Sequence, residues 1–256
     1  MIREALDSFL HVLRAPQILT RYRLWNYAIA PIILTIVLGA TLLPLVYHLG
    51  DNVGSWMFSW WKWDFASEIV EVAEDWIGRF VLAAGSFFVF KYLILICSGP
   101  FMSLLSERME EQMYGQSETP LTWKSFLRDL IRGLRVNLRN IFREILYTVP
   151  LYILSFIPVV NFVTVPLIFI VQAYFAGFGN MDFAMERHYD VKNSRLFVRQ
   201  HRGMAIGNGA AFLLMFAIPI VGTLVCLVFS ATSASYRTLR IIHEEDEVDT
   251  SLVGPI

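Results

Sequence analysis

The sequence predicts an all-α integral membrane protein with two full transmembrane helices, two proline-centred re-entrant helical hairpins and amphipathic cytoplasmic helices. Hydrophobic residues make up 56% of the 256 residues and charged residues 17%, whereas soluble domains carry about 25% charged residues. Two apolar runs are long enough to cross a bilayer, and two further runs are interrupted by proline. Together these features place much of the surface in lipid. The net charge of −1 gives no indication of a nucleic-acid partner.

The two long apolar runs cover residues 24–49 and 80–105. Each exceeds the ~20 residues that a helix needs to cross ~30 Å of hydrocarbon. Pro31 and Pro100 lie near the ends of these runs, where proline removes few helical hydrogen bonds. Both runs are therefore predicted to span the membrane.

The first hairpin is predicted over residues 145–177. Ile145 to Ile157 is 13 residues, which rise only ~20 Å as a helix and fall short of a crossing. Pro158 follows, without a backbone N–H, and Asn161 comes three residues later. A turn at this point explains both residues.

The second hairpin, over residues 209–236, repeats the pattern. Aligning Pro219 with Pro158, 61 residues earlier, also places Gly222 on Asn161. This match indicates an internal repeat of the kind found in transporters. The alternative of two full spans kinked at proline remains open, because membrane helices tolerate kinks when neighbours satisfy the freed carbonyls.

Charge is distributed unevenly along the chain. The segment 51–79 is acidic and rich in tryptophan, whereas 107–144 and 180–208 together hold 12 of the 21 Lys and Arg residues. By the positive-inside rule, both termini and the two basic segments are cytoplasmic in a multi-pass protein of the cell (inner) membrane. Residues 1–23 are predicted to lie at the interface as a helix, and the acidic tail 244–256 to be a solvated, disordered end.

An arginine face is predicted on an amphipathic helix over residues 121–144. Its arginines recur every three or four residues, opposite an apolar face. They are Arg128, Arg132, Arg135, Arg139 and Arg143. One interpretation is an interfacial helix that contacts anionic headgroups. The other is an electropositive vestibule that concentrates an anion.

Several other residues have a predicted role. Lys91 lies near the middle of the second span, where a charge costs at least ~2.5 kcal/mol and needs a partner or a watery cavity. Glu107 ends that span and serves as a gate or as a structural ion-pair partner. His188, His201 and His243 are scattered and have no metal-ligand spacing. No catalytic motif, cofactor motif or metal motif is recognised, so we expect neither an enzyme nor a metal site.

The chain also resembles the CysZ-like sulfate permease and etoposide-induced membrane protein family. The resemblance rests on Pro100–Glu107, on Met109–Gly115 and on the paired turns at Ile157-Pro158 and Ile218-Pro219, and the order of elements matches over nearly the full length. It implies two spanning helices and two pairs of half-penetrating helices.

The resemblance also implies an anion site, from which this sequence departs. Sulfate-transporting members carry Gly-hydrophobic-Arg-Arg ahead of the first span. Here Arg23 occupies the glycine position, and Trp25 and Asn26 occupy the arginine positions. Trp and Asn supply only neutral donors to an oxyanion.

The combined prediction is a transporter or channel for a small, sulfate-like inorganic anion. Arg21, Arg23 and Lys91 are the predicted anion-binding residues. The gating or structural residues are Glu107, Pro158, Asn161, Pro219 and Gly222. Broken helices cannot face lipid, so a homo-oligomer within the lipid bilayer is expected. The alternative function is a membrane scaffold or regulatory interaction protein without transport.

Overall fold

The computed structural model describes the backbone of residues 1–58, 90, 93–94, 97–115, 123–155, 157–218 and 221–252. Within these residues all regular secondary structure is helical, as predicted. The helices are α1 (Ile2–Val12), α2 (Ala15–Arg21), α3 (Trp25–Phe58), α4 (97–114), α5 (Trp123–Ser155), α6 (Pro158–Met185), α7 (Val191–Gln200), α8 (Arg202–Phe216) and α9 (Val221–Leu252). The chain forms two compact units, one of Met1–Ile32 with Ser98–Ile256 and one of Ile33–Cys97.

The apolar runs of the sequence form long helices. The predicted span at 24–49 lies within α3, whose apolar part is Trp25–Thr41. The predicted span at 80–105 lies largely outside the described residues, and α4 contains its end. Among the described helices one is long and apolar enough to cross a membrane, Val159–Met185, with a mean hydropathy of 2.0 over its most apolar window.

The N-terminal segment forms two helices where one interfacial helix was predicted. The chain turns at Leu13 and Arg14, and Pro16 lies in the first turn of α2, where its missing N–H disrupts no helical bond. Leu6, Leu10 and Leu13 are exposed, as expected for an interfacial helix. On the opposite side, Ser8 donates a hydrogen bond to the carbonyl of Met204 on α8.

The first predicted turn is present in the backbone. Ile157 is extended, with φ −86° and ψ 115°, and Pro158 begins α6. Proline suits this position because its fixed φ matches a helix and its missing N–H is not needed there. Helices α5 and α6 pack against each other, so the two limbs form a helical hairpin.

The arms of this hairpin are longer than the sequence analysis predicted. The arginine-rich stretch and the ascending limb were expected as separate elements, 121–144 and 145–177, but α5 runs unbroken from Trp123 to Ser155. The returning limb continues to Met185 instead of ending near Gly177. The residues of α5 change from charged to apolar at Ile145, but the helical backbone continues through this point without interruption.

The second hairpin consists of α8 and α9. Thr223 ties it together by donating from its backbone N–H to Ile218 O, 3.2 Å away, and from its hydroxyl to Phe216 O, 3.2 Å away. Pro219 lies outside the described residues. The limbs are longer than the predicted 209–236. The acidic tail that was expected to be disordered continues α9 to Leu252.

The core lies where α6, α8 and α9 meet, and α1 packs on α8. Gly177 of α6 and Gly209 of α8 allow the closest approach: a Cβ at either position would collide with a backbone carbonyl of the other helix, that of Ala205 or Ala173. Small residues at such crossings are typical of helix packing in membranes. Asn208 adds a buried link, since it accepts from Asn180 and donates to Ser230 O.

Candidate functional site

The predicted anion-binding residues of the N-terminal region lie on the surface. Arg21 is the last residue of α2 and lies over the ring of Tyr22, with its guanidinium carbon 5.7 Å from the ring centroid. Arg23 lies between α2 and α3 with a φ of 53°, in the left-handed region. Both side chains are exposed. Lys91 lies outside the described residues.

The arginine face of α5 is graded in exposure. Arg135 is exposed, whereas Arg139 and Arg143 are half-buried. The side chains of Arg128 and Arg132 lie outside the described part of the chain. The arginine face is therefore not uniformly exposed to solvent, because its side chains become less exposed from Arg135 to Arg139 and Arg143.

Arg139, Arg143 and Arg195 form what we call the arginine cluster. Burial lowers the pKa of the Arg139 guanidinium, and the charges of Arg195 and Arg143 lower it further, against an opposing effect of Asp182. The Nε and Nη2 of Arg139 are buried and have no hydrogen-bond partner among the described residues. Buried donors without partners cost free energy, and an oxyanion supplies the acceptors that they lack.

The positive region extends beyond this cluster. Arg199 and Arg202, from α7 and α8, lie close enough to Tyr174 for their charges to act on its phenol, together with that of Arg143. Arginines from three helices therefore contribute to one positive region. Like charges gathered in this way concentrate small anions.

A second group of ionisable residues surrounds Glu110 on α4. We call Glu110, Arg187, His188 and His243 the Glu110 cluster. The Nε2 atoms of His188 and His243 lie 2.7 Å and 3.0 Å from Glu110 Oε1. The Nε and Nη2 of Arg187 donate to Glu110 Oε2 at 3.1 Å and 3.0 Å. Three side chains, two from the turn that follows α6 and one from α9, thus share the carboxylate of Glu110 on α4.

Electrostatics keep this carboxylate ionised. Burial by itself would raise the pKa of Glu110, but the hydrogen bond from His188 and the charge of Arg187 outweigh it and lower the pKa to about 2. A carboxylate that accepts several hydrogen bonds from positively charged or polar donors retains its charge when buried. Both histidines must then present an Nε2–H to Oε1.

The surroundings of the cluster fix its geometry. Arg187 also donates to the carbonyls of Ser103 and Phe183 and to the hydroxyl of Ser106. The ring of Tyr114 stacks on that of His243, with centroids 3.8 Å apart. Residues of α4 therefore hold the guanidinium of Arg187 and the imidazole of His243 in place.

The Glu110 cluster was not predicted from the sequence. The residue predicted from the sequence is Glu107, which lies one helical turn before Glu110. Glu107 is half-buried, and its charge acts on Arg108. The closer ion-pair partner of Arg108 is Glu111, at 2.5 Å. The histidines expected to be scattered are brought together in part: His188 and His243 meet at Glu110, whereas the ring of His201 bonds to Phe197 O. His188 and His243 are 78 and 133 positions from Glu110 in the sequence. Local sequence patterns do not reveal contacts between residues so far apart.

The residues predicted at the turns have different environments. Asn161 is exposed, and the N-terminus of α6 has no side-chain cap among the described residues. Gly222 is buried, and a Cβ there would collide with the carbonyl of Met215. Gln172 donates to the hydroxyl of Tyr152 at 3.4 Å. The two aligned turn positions, Asn161 and Gly222, therefore differ in burial.

Comparison with known proteins connects this arrangement to a family. The family model described as sulfate transporter CysZ/etoposide-induced protein 2.4 matches residues 11–226. The chain belongs to this family. The CysZ family match includes Glu110, the arginine cluster and both hairpin turns, and it ends before His243.

Individual CysZ relatives are similar at modest identity. Sulfate transporter CysZ of Pseudomonas fluorescens (strain Pf0-1) is 29% identical over 140 residues, which cover 54% of this chain and 56% of the relative. That of Vibrio parahaemolyticus is 25% identical over 207 residues, which cover 78% of this chain and 81% of the relative. The match thus spans little more than half the length of the Pseudomonas fluorescens relative.

Proposed function

We propose that this protein moves a small inorganic oxyanion, with sulfate as the first candidate, across the cell (inner) membrane. The observation that carries the proposal is the arginine cluster, in which Arg139 has two buried N–H donors without a partner among the described residues. Guanidinium groups match the geometry of tetrahedral oxyanions. Family membership supports the same substrate class, since the relatives named above are described as sulfate transporters.

The arginines have two roles in this proposal. The exposed Arg135 gathers the anion by long-range attraction, whereas Arg139 in the arginine cluster offers it two buried N–H donors. Arg21 and Arg23, which precede α3, contact it directly, and Lys91 does so at membrane depth. Trp25 and Asn26 occupy the positions where the family resemblance implies arginines, so this contact differs in detail from that of sulfate-transporting members.

Uptake into proteoliposomes tests the function. Labelled sulfate, sulfite, phosphate and chloride are compared at low and high ionic strength. Flux of at least one oxyanion is expected. Absence of flux for every solute would reject transport and leave the non-transporting scaffold as the function.

Two variants on one helix separate attraction from contact. Arg135→Gln should slow uptake mainly at low salt, because exposed charges are screened within ~8 Å at physiological ionic strength. Arg139→Gln should slow uptake at all salt concentrations, because its guanidinium nitrogens are shielded from solvent. Equal salt responses of the two variants would contradict this division.

The contact residues have their own test. Arg23→Gln and Lys91→Met, each made alone, should weaken anion affinity at any salt concentration, as measured by calorimetry or flux. Unchanged affinity in both variants would remove Arg21, Arg23 and Lys91 from the proposal while leaving the arginine cluster in place.

The membrane topology of the proposal has both hairpins re-entering from the cytoplasm. Cysteine labelling from each side of sealed vesicles tests it at Asn193, which is exposed in α7. Asn193→Cys preserves the helix cap, because the group that bonds to Asp190 is the backbone N–H of residue 193. Reaction only with an outside reagent would replace the re-entrant hairpins by full spans.

Assembly is the last part of the proposal. The break in backbone bonding at the first turn, beside the exposed Val159 and Phe162, needs cover that lipid alone does not supply. We expect a homo-oligomer built on a dimer. A single-subunit mass both in mild detergent and in native membranes would contradict it.

A further inference from the structure

We propose that Glu110, His188 and His243 form a binding site for a divalent transition-metal ion of the zinc class. The site is separate from the arginine cluster, and the proposal does not rest on anion transport. His243 lies beyond the region matched by the family model, which ends at residue 226.

The positions of the three ligand atoms fit a metal ion. Glu110 Oε1 and the Nε2 atoms of His188 and His243 all lie within 4.8 Å of one another. Zinc binds nitrogen and oxygen at about 2.0–2.2 Å in tetrahedral geometry, which places ligand atoms roughly 3.3 Å apart. The two nitrogen–oxygen distances are 2.7 Å and 3.0 Å, and the two nitrogens lie within 4.8 Å of each other, so to admit the ion the imidazoles would move slightly away from Oε1 and up to about 1.5 Å closer together.

The chemistry of the donor set also fits. Two imidazoles and one carboxylate are ligands that zinc uses with an open fourth position for water. Without metal, each Nε2–H donates to the carboxylate. With metal, each ring carries its proton on Nδ1 and turns its Nε2 lone pair toward the ion.

The groups around the ligands hold them in position. Arg187 bonds to Oε2 of Glu110 and leaves Oε1 toward the two histidines. Tyr114 stacks on His243 and restricts its rotation. Such partners orient metal ligands. The guanidinium charge opposes the ion, however, and therefore favours reversible binding over a permanent structural ion.

An ion can reach the site from solvent. The side chain of His188 is 23% exposed and that of His243 is 12% exposed, whereas that of Glu110 is 8% exposed. Glu110 is thus the most buried of the three ligands, and an ion would enter past His188, which is the most exposed. A bound ion would link α4, the end of α6 and α9.

Metal titration of the full chain provides the test. Chelator-treated protein in detergent is titrated with Zn²⁺ by calorimetry, and Co²⁺ absorbance reports the coordination geometry. One ion per chain is expected, with the tetrahedral cobalt spectrum. His188→Gln and His243→Gln should each weaken Zn²⁺ binding at least about 10-fold.

His201→Gln is the matched control, because His201 bonds to a backbone carbonyl away from Glu110. It should leave Zn²⁺ affinity unchanged. The proposal is overturned if the wild-type chain binds no Zn²⁺, if His188→Gln and His243→Gln bind as tightly as wild type, or if His201→Gln lowers affinity to the same extent.

A second measurement needs no variant. Diethyl pyrocarbonate modifies free imidazoles, and mass spectrometry locates the products. Zn²⁺ should protect His188 and His243 in the wild-type chain and leave the reaction of His201 unchanged. Equal modification of His188 and His243 with and without Zn²⁺ would also overturn the proposal.

Discussion

The two hairpins share a turn signal but differ in how their limbs are packed. Around the first turn, Val159 and Phe162 are 81% and 85% exposed. In the second hairpin, Phe216 is 2% exposed and Cys226 is fully buried. The aligned residues Asn161 and Gly222 show the same contrast, one exposed and the other buried.

Neighbouring helices account for this difference. The limbs of the second hairpin are α8, which contacts α1 and α6, and α9, which contacts α6 and the short N-terminal helices. In the first hairpin, α5 packs on α6 and leaves Phe142 and Ile153 exposed. An Ile-Pro turn thus specifies a change of chain direction, while the helices that pack around each limb decide how far that limb is buried.

The largest expected effect comes from filling the closest helix crossing. Gly209→Val should destabilise the fold by more than about 3 kcal/mol, since its side chain would meet backbone atoms that cannot move aside. Val163→Ala, on the exposed side of α6, should have little effect. Heating in detergent followed by size-exclusion chromatography measures both. Equal heat resistance would mean that the two hairpins are packed alike.

Aligned turn positions give the next largest effect. Gly222→Ala should cost about 1–3 kcal/mol because its Cβ would meet the carbonyl of Met215 and the side chain of Ile218. Asn161→Ala should cost less than about 0.5 kcal/mol, as for other exposed positions. Apparent melting temperatures in one detergent compare the two. A larger loss in Asn161→Ala would reverse the comparison.

Acid should loosen the support of the second hairpin through His11 on α1. Burial, followed by the charges of Arg237, Arg14 and Arg240, lowers the pKa of His11 from 6.5 to about 4. The unfolded chain therefore takes up the proton first, and stability present above pH 6.5 is lost as pH falls toward 4. Because the ring is partly solvated, screening reduces the loss to about 1–2 kcal/mol.

The matched variant for this pH effect is His11→Gln. It should flatten the pH dependence of the melting temperature between pH 6.5 and 4, since Gln does not titrate and can still reach the hydroxyl of Ser233 that His11 contacts at 2.8 Å. An unchanged slope would assign the acid sensitivity to another group.

The smallest expected effect compares two threonines. Thr223 bonds across the second turn, whereas the hydroxyl of Thr164 bonds to Val160 O, 3.3 Å away within its own helix. Thr223→Val should cost about 0.5–1 kcal/mol for the lost hydrogen bond. Thr164→Val should be nearly neutral. Melting temperatures of the pair measure the contribution of the turn bond, and equal values would show that it contributes nothing.

Sequence patterns predicted the features of the fold that depend on local chemistry. The break before Pro158 follows from the missing N–H and ring of proline, and the spacing of apolar residues indicated helices throughout. The continuity of α5 could not be read in the same way. At Ile145 the composition changes from charged to apolar, but the backbone hydrogen bonds are indifferent to that change.

The candidate sites were likewise predictable only where their residues follow a local sequence pattern. The arginines of α5 share a face at three- and four-residue spacing, so their grouping was visible in the sequence. Their convergence with Arg195 depends on the placement of α7. Glu110 and His243 come together only through the packing of α4 and α9. Glu107 lies three residues before Glu110, and nothing local in the sequence distinguishes the two carboxylates.

The unbroken course of α5 has a mechanical consequence. Its 33 residues form a helix about 50 Å long. Arg139 lies at the middle of this helix, and the turn at Ile157 follows its C-terminal end. Pro150 lies inside the helix and removes one backbone hydrogen bond there. The helix rises about 24 Å from Arg139 to Ser155, so a tilt of about 5° at Arg139 moves its C-terminal end by about 2 Å. A displacement of Arg139 is thus passed to the first turn through one helix that lacks a backbone hydrogen bond at Pro150.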